Sequence, residues 1–192
     1  MIIKREMADM PQNSNKFICT YENNDEHYTP KYAVLPIIKY LMKDKIIWCP
    51  FDTKNSEFVL NLGENGFEVV YSHIVSGQDF YIYEPTKWDI IVSNPPFAKK
   101  RKIFERALSF NKPFALLVSN TWLNDVAPKQ LFKSDQLQLL MFDKRINYNG
   151  KSNAPFSSSY FCKDILPSQI IIENLDIVKG QKSRMHQDFE NS

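Results

Sequence analysis

Short apolar runs, many of them β-branched, alternate along this chain with longer amphipathic segments, and this alternation constrains the fold more than any other feature. Such runs are typical of strands in a sheet that helices cover on both faces. We expect strands at residues 46–49, 68–72, 89–93, 114–118, 137–143 and 168–173. The pattern predicts a doubly wound, Rossmann-like α/β sheet, in which ligands bind beyond the carboxyl ends of the strands.

Helical segments are expected between these strands. They cover residues 30–41, 56–62, 100–110 and 128–133. Thr29 is placed to cap the first helix, because Pro30 at the first helical position loses no hydrogen bond that a helix would make. Ser56 is placed to cap the second. Residues 147–159, rich in Ser, Asn and Lys, are expected to form a loop.

Length and composition limit the chain to one core. With 192 residues and 43% hydrophobic content, we expect a single domain over residues 25–178, between flexible ends at residues 1–24 and 179–192. No long apolar run or secretory leader is visible, which predicts a cytoplasmic protein without a membrane segment. Three distant cysteines favour neither disulfides nor a zinc site. Because the net charge is only +2, any surface for a polyanion must come from local clustering.

The tetrapeptide Asn94-Pro95-Pro96-Phe97 follows the most apolar predicted strand and is the candidate reaction centre. An exocyclic amine on an aromatic ring is a poor nucleophile, because its lone pair is delocalised into the ring. The side-chain oxygen of Asn94 and a backbone carbonyl near Pro95 can each accept one N–H and help the nitrogen to pyramidalise. The prolines would hold the loop rigid, and Phe97 would stack on the base. A plain turn is the alternative interpretation.

With this motif the chain resembles the adenine-N6 DNA methyltransferase superfamily, and it is especially similar to short phage-type and prophage-type methyltransferase-like proteins. The resemblance covers residues 28–175 and implies a Rossmann-like sheet that binds S-adenosyl-L-methionine (AdoMet) and methylates adenine in DNA without a metal. It also assigns residues to the cofactor. These are Tyr28, Thr29 and Pro30 beside the methionine part, Pro50, Phe51 and Asp52 in the loop after the first strand, and Asp79 and Phe80 around the adenine.

The chain departs from the usual cofactor-binding pattern in two places. The loop after the first strand contains no glycine, although the backbone of such loops normally comes very close to the ligand. At the end of the second strand, His73 stands where an acid normally receives the ribose hydroxyls, so we expect it to contact the cofactor. The alternative is that His73 has a structural role.

Two basic clusters are predicted to hold nucleic-acid phosphates. One is Lys99-Lys100-Arg101-Lys102, directly after the reaction centre, and the other is Lys144-Arg145, followed by Tyr148. A solvated helix start is the alternative for the first cluster. The resemblance also implies that aromatic residues in the later loop supply a second face for an extruded base, and packing in the core is the alternative. They are Tyr148, Phe156, Tyr160 and Phe161.

Three functions are compatible with these residues. The first is adenine-N6 methylation of DNA from AdoMet, without a separate target-recognition domain, because the chain is too short to hold one. The second keeps the chemistry but takes the amine of RNA or of a protein glutamine. The third, motivated by the glycine-free loop, is an inactive methyltransferase-like binding module, such as a phage protein directed against host defence.

Overall fold

The structure is a computed structural model that describes residues 29–132, 136–148 and 156–176. The helices in these ranges are α1 (Lys31–Ile38), α2 (Glu57–Glu64), α3 (Lys100–Ser109) and α4 (Val126–Leu131). The strands are β1 (Ile46–Cys49), β2 (Glu68–Tyr71), β3 (Ile90–Ser93), β4 (Phe114–Ser119), β5 (Gln138–Phe142), β6 (Ser158–Lys163) and β7 (Ile170–Glu173). Two 3₁₀ turns cover Ile74–Ser76 and Asn120–Asn124.

The seven strands form one sheet in the order β2-β1-β3-β4-β6-β5-β7. Strands β1 to β4 are mutually parallel, β6 runs antiparallel to both β4 and β5, and β7 is parallel to β5. From β1 the chain continues to β2 on one side and then crosses back to β3 on the other. This reversal creates a crevice between the carboxyl ends of β1 and β3, which is where open α/β sheets bind their ligands.

A hydrophobic core lies on each face of the sheet. Successive residues of β4 alternate between the two cores: Ala115 and Leu117 belong to the first, and Leu116 belongs to the second. Helices α1 and α2 contribute to the first core, whereas α3 and α4 contribute to the second. The prediction of a doubly wound, Rossmann-like α/β sheet is therefore confirmed. None of the described helices is long and apolar enough to cross a membrane.

Six predicted strands are present with bounds shifted by at most two residues, but the start of the first helix was predicted wrongly. Helix α1 begins at Lys31, and its N-cap is Pro30, which offers no side-chain hydrogen bond. Thr29 is not the cap, because its hydroxyl instead accepts a hydrogen bond from Nδ2 of Asn94, in the loop after β3. The helix also ends at Ile38 rather than at residue 41. In contrast, Ser56 caps α2 as predicted, accepting from the backbone nitrogen of Val59.

Strand β6 was not predicted, and its aromatic residues were placed wrongly. Tyr160 and Phe161 are fully buried within this strand, in the first and second core respectively, so they belong to the sheet and not to a loop beside the base. The strand was not recognised from the sequence because it begins with two serines, and serine is more typical of loops. Pairing along six residues of β4 makes the segment a strand. Its Cys162 and the Cys49 of β1 are buried free thiols, and Cys19 lies outside the described residues.

Candidate functional site

Buried polar side chains gather at one edge of the sheet. This edge holds the carboxyl ends of β1 to β4 and the beginning of β6, because β6 runs in the opposite direction. The buried residues there are Asp52, Ser56, Ser72, Ser93, Ser119, Ser158 and Ser159. Buried polar groups are costly unless they are paired. Hydrogen bonds of Asp52 join four of them at the crevice between β1 and β3, and these four mark the candidate site: Asp52, Ser56, Ser72 and Ser93.

Asp52, in the loop after β1, occupies the crevice between β1 and β3. Its side chain is only 7% exposed, and its Oδ2 accepts a hydrogen bond from the hydroxyl of Ser93. Its backbone nitrogen donates to the carbonyl of Ser72, at 3.2 Å. Burial raises the pKa of Asp52 to about 6, and hydrogen bonds from Ser93 and Ser56 oppose this rise. Within the part of the chain that the structure describes, no cationic side chain forms an ion pair with it.

Ser93 is a site residue that we did not anticipate. It ends a strand whose other residues are aliphatic, it is fully buried, and it directly precedes the predicted reaction centre. A hydroxyl at the end of such a strand is the signal that could have identified it. Burying a hydroxyl requires a hydrogen-bond partner, which Asp52 supplies here.

Glu57 and Asn61 in α2 form a second buried polar pair that sequence reasoning missed. The Nδ2 of Asn61 lies 2.7 Å from Oε2 of Glu57 and 2.6 Å from its backbone oxygen. Both side chains lie on the buried face of the helix, beside Phe58 and Leu62. Their spacing of four residues within an apolar stripe was the available signal.

The predicted adenine-binding pair lies against the loop after β1. The rings of Phe51 and Phe80 are 4.8 Å apart, so the structure brings these two predicted cofactor residues together. Phe80 is also packed against Trp48 and is almost fully buried. Asp79 closes a local turn, where its Oδ1 accepts from the backbone nitrogen of Tyr81 at 3.0 Å. Pro50 is buried at the start of the loop. Contact of these residues with a cofactor remains a prediction.

His73 begins the short 3₁₀ turn after β2. Its Nδ1 accepts from the backbone nitrogen of Val75, at 3.3 Å. The ring therefore has a local structural role of the kind that the alternative interpretation expected. Its predicted contact with the ribose stays a prediction.

The reaction-centre loop is held at the tip of β3. Asn94 is half-buried, and its Nδ2 donates to Oγ1 of Thr29 at 3.0 Å. Pro95 is buried, whereas Pro96 and Phe97 are half-buried. The hydrogen bond brings Thr29, predicted to lie at the cofactor, to the predicted catalytic asparagine. Tyr28 lies outside the described residues.

Three aromatic side chains meet beside this loop, and we call them the aromatic group. The ring of Phe97 lies 5.3 Å from that of Phe156 and 6.5 Å from that of Tyr148, both in edge-on orientation. Tyr148 is buried and donates from its hydroxyl to Oγ of Ser158, at 3.0 Å, and burial raises its pKa. Of the four aromatic residues expected beside the base, the structure thus brings two to Phe97.

The first basic cluster begins α3 directly after this loop. Lys99, Arg101 and Lys102 are exposed, and no acidic residue occurs in the first turn of the helix. Lys99 has a φ of 60°, in the left-handed region that disfavours side chains. Lys100 places its Nζ 5.9 Å from the centre of the Phe97 ring. Arg101 is engaged by its neighbours, since it forms an ion pair with Glu105 and donates to the side chain of Gln130.

The second basic cluster lies farther along the same edge. Lys144 and Arg145 follow β5, which is three strand spacings from β3, or about 14 Å. Lys144 forms an ion pair with Asp143 and donates to the carbonyl of Leu175, both within 3.2 Å. The two clusters are therefore separate patches on one edge of the sheet.

The described residues contain no group of three or more His, Cys, Asp or Glu side chains that could hold a metal ion. No protein-family model matches the chain, and neither does any curated protein sequence. One solved structure similar to it is that of a predicted O-methyltransferase from Agrobacterium tumefaciens, with 9% sequence identity and a TM-score of 0.40. The match covers 84% of this chain and 95% of that chain.

Proposed function

We propose that this chain is an AdoMet-dependent amino-methyltransferase that acts on the N6 amine of adenine in DNA. The observation that carries the proposal is the position of Asn94. It follows a central strand beside the crevice, its amide is oriented by Thr29, and the ring of Phe97 lies in the same loop. Ligands of doubly wound sheets bind at this place.

The proposed chemistry follows from the groups in this loop. Because Nδ2 of Asn94 donates to Thr29, the amide oxygen forms the opposite arm of the side chain. In our proposal this oxygen accepts one N–H of the target amine, and the backbone carbonyl of Pro95 accepts the other. The nitrogen lone pair then points toward the methyl donor. Removing one such preorganised group typically lowers kcat about 10²-fold to 10³-fold.

Asp52 supports the proposal that the donor is cationic AdoMet. A buried carboxylate without an ion-pair partner among the described residues is an unfavourable arrangement, and an approaching cation relieves it. When bound, AdoMet would supply a methyl group on a sulfonium. The loop from Pro50 to Asp52, together with Thr29 and the Phe51–Phe80 contact, would line its site.

The aromatic group and the lysines support a nucleic-acid acceptor. Stacking on aromatic rings holds an extruded base, and exposed lysines beside it attract the flanking phosphates. Phe97 and Phe156 would provide the stacking surface, and Lys99 and Lys102 the charge. Since these contacts read no base edges in a groove, we expect weak sequence preference.

The direct test is transfer of labelled methyl from AdoMet. Purified protein should label unmethylated DNA at adenine N6, whereas Asn94→Ala should lower the rate by about 10²-fold or more. The matched control is Asn65→Ala, which removes an exposed asparagine at the end of α2. Labelled methyl on RNA or on protein glutamine, but not on DNA, would support the amino-methyltransferase chemistry and show that the acceptor is not DNA. AdoMet binding without transfer to any of the three polymers would contradict the proposal.

One observation favours a second candidate, a binding module that has lost the cofactor. Side chains of the loop after β1 already pack against the rest of the protein, since Phe51 contacts Phe80 and Asp52 is buried. Calorimetric titration with AdoMet separates the two candidates. Micromolar affinity supports the enzyme, and millimolar or absent affinity supports the binding module.

A further inference from the structure

We infer that Asp52 is a positioning residue that holds the reaction-centre loop through Ser93, an inference that rests on the proposed function. Asp52 belongs to the loop after β1, where the donor would bind, and Ser93 directly precedes Asn94. Their hydrogen bond joins the donor side of the crevice to the acceptor side. Asp52 thus orients the loop in addition to attracting a cation.

Asp52 is itself held in place by hydrogen bonds to neighbouring residues. Its backbone nitrogen donates to the carbonyl of Ser72, and its carboxylate also receives a hydrogen bond from the hydroxyl of Ser56. Ser56 in turn caps α2. Asp52 is therefore hydrogen-bonded to the residue that follows β2 and to the N-cap of α2, and it provides an anchor for Ser93.

The loop that carries Asn94 is held from two sides. The loop is held on one side by the Asp52–Ser93 hydrogen bond and on the other by the bond from Asn94 to Thr29. Pro95 and Pro96 restrict the backbone that follows. We expect the two contacts together to restrict the amide of Asn94 to one orientation relative to the crevice. Misplacement of a reacting group by about 1 Å can cost about 10²-fold in rate.

Ser93 has an equivalent residue on the next strand of the sheet. Ser119 ends β4 as Ser93 ends β3, and both are buried. The hydroxyl of Ser119, however, bonds only within its own turn, to the backbone nitrogen and the hydroxyl of Thr121. Ser119→Ala thus removes a buried hydroxyl at the same edge without touching the crevice, which makes it the control for Ser93→Ala.

The experiment is a double-mutant cycle of Ser93→Ala and Asp52→Ala on the full chain, with a second cycle of Ser119→Ala and Asp52→Ala. We expect Ser93→Ala to lower kcat at saturating AdoMet by about 10-fold or more, with the Kd for AdoMet within about 3-fold of wild type. The effects of Ser93→Ala and Asp52→Ala on kcat should be strongly non-additive, whereas Ser119→Ala and Asp52→Ala should be additive. A kcat of Ser93→Ala equal to that of Ser119→Ala, or a loss confined to the Kd, would overturn the inference.

A readout without turnover keeps this inference separate from the proposed function. Hydrogen exchange at the amides of Asn94, Phe97 and Ala98 should accelerate in Ser93→Ala but not in Ser119→Ala. If wild-type protein transfers no methyl group while these amides respond as expected, the proposed function fails and the positioning role stands. If the amides exchange equally in both variants, the positioning role fails whatever the activity is.

Discussion

The side chain of Asn94 donates a hydrogen bond from Nδ2 to the hydroxyl of Thr29, at 3.0 Å and across 65 positions of sequence. The bond defines which arm of the amide carries the oxygen. It also ties the segment before α1 to the loop after β3, so two parts of the chain that are far apart in sequence form one wall of the candidate site.

Replacing Thr29 should therefore affect catalysis more than stability. Thr29→Val removes the hydroxyl but keeps the shape, and we expect kcat to fall about 10-fold because the Asn94 amide loses its fixed orientation. Thr29→Ser keeps the hydroxyl and should retain kcat within about 3-fold. Methyl-transfer kinetics at saturating AdoMet check both variants. Equal kcat for the two variants would show that the hydroxyl has no part in orientation.

Phe97 should contribute to acceptor binding through its ring. Stacking of a base on an aromatic side chain is worth about 1–3 kcal/mol, so Phe97→Leu should raise the KM for DNA about 5-fold or more. Phe97→Tyr keeps the ring and should remain within about 2-fold of wild type. The Kd for AdoMet serves as the internal control, because it should not change in either variant. A rise in the AdoMet Kd alone would place Phe97 on the donor side.

Lys99 should lower the stability of the fold through its backbone conformation and should strengthen DNA binding through its charge. Its φ of 60° is unfavourable for any residue with a β-carbon, so Lys99→Gly should raise the free energy of unfolding by about 1 kcal/mol. The same variant should weaken DNA binding and reduce the slope of log K against log salt by about 1. Urea unfolding and fluorescence titration at several salt concentrations measure the two effects. Lys87→Ala is the control, since this exposed lysine precedes β3 at the opposite edge. An unchanged salt slope in Lys99→Gly would remove Lys99 from the phosphate surface.

Because of Asp52, the free energy of unfolding should decrease as pH rises, whereas most acidic residues have the opposite effect. Burial raises its pKa from 3.8 to about 6, so the folded state holds the proton more tightly than the unfolded chain. Its contribution to stability is therefore present below about pH 4 and is lost as pH rises through about 6. One pKa unit corresponds to about 1.4 kcal/mol, which makes the loss at most about 3 kcal/mol.

Asp52→Asn tests this pH dependence. The variant should gain stability relative to wild type as pH rises from about 4.5 to about 7, with a plateau above that value. Urea unfolding of both proteins across this range gives the difference directly and cancels the titration of other groups. If the free energies of unfolding of the two proteins change with pH in the same way, the carboxyl of Asp52 titrates near its ordinary pKa.

Local sequence predicted the central strands because their signal is local. The run before Asn94 is purely aliphatic, and a strand buried on both faces needs nothing more to be recognised. The cap at Ser56 was predictable for the same reason, since hydroxyl and amide are three residues apart. In contrast, the cap predicted at Thr29 was wrong because a partner 65 residues away takes its hydroxyl.

Local residue patterns were enough to predict that a doubly wound sheet forms and that the Asn94 loop lies at the end of one of its strands. Periodicity of apolar residues and the stiffness of two prolines are properties of neighbouring residues, so they can be read along the chain. Tertiary packing, in contrast, brings Asp52 to Ser93 and brings Tyr148 and Phe156 to Phe97. It also buries Tyr160 and Phe161 in the core. Those contacts depend on the order in which strands pair, and strand order is a long-range property that no local pattern of residues encodes.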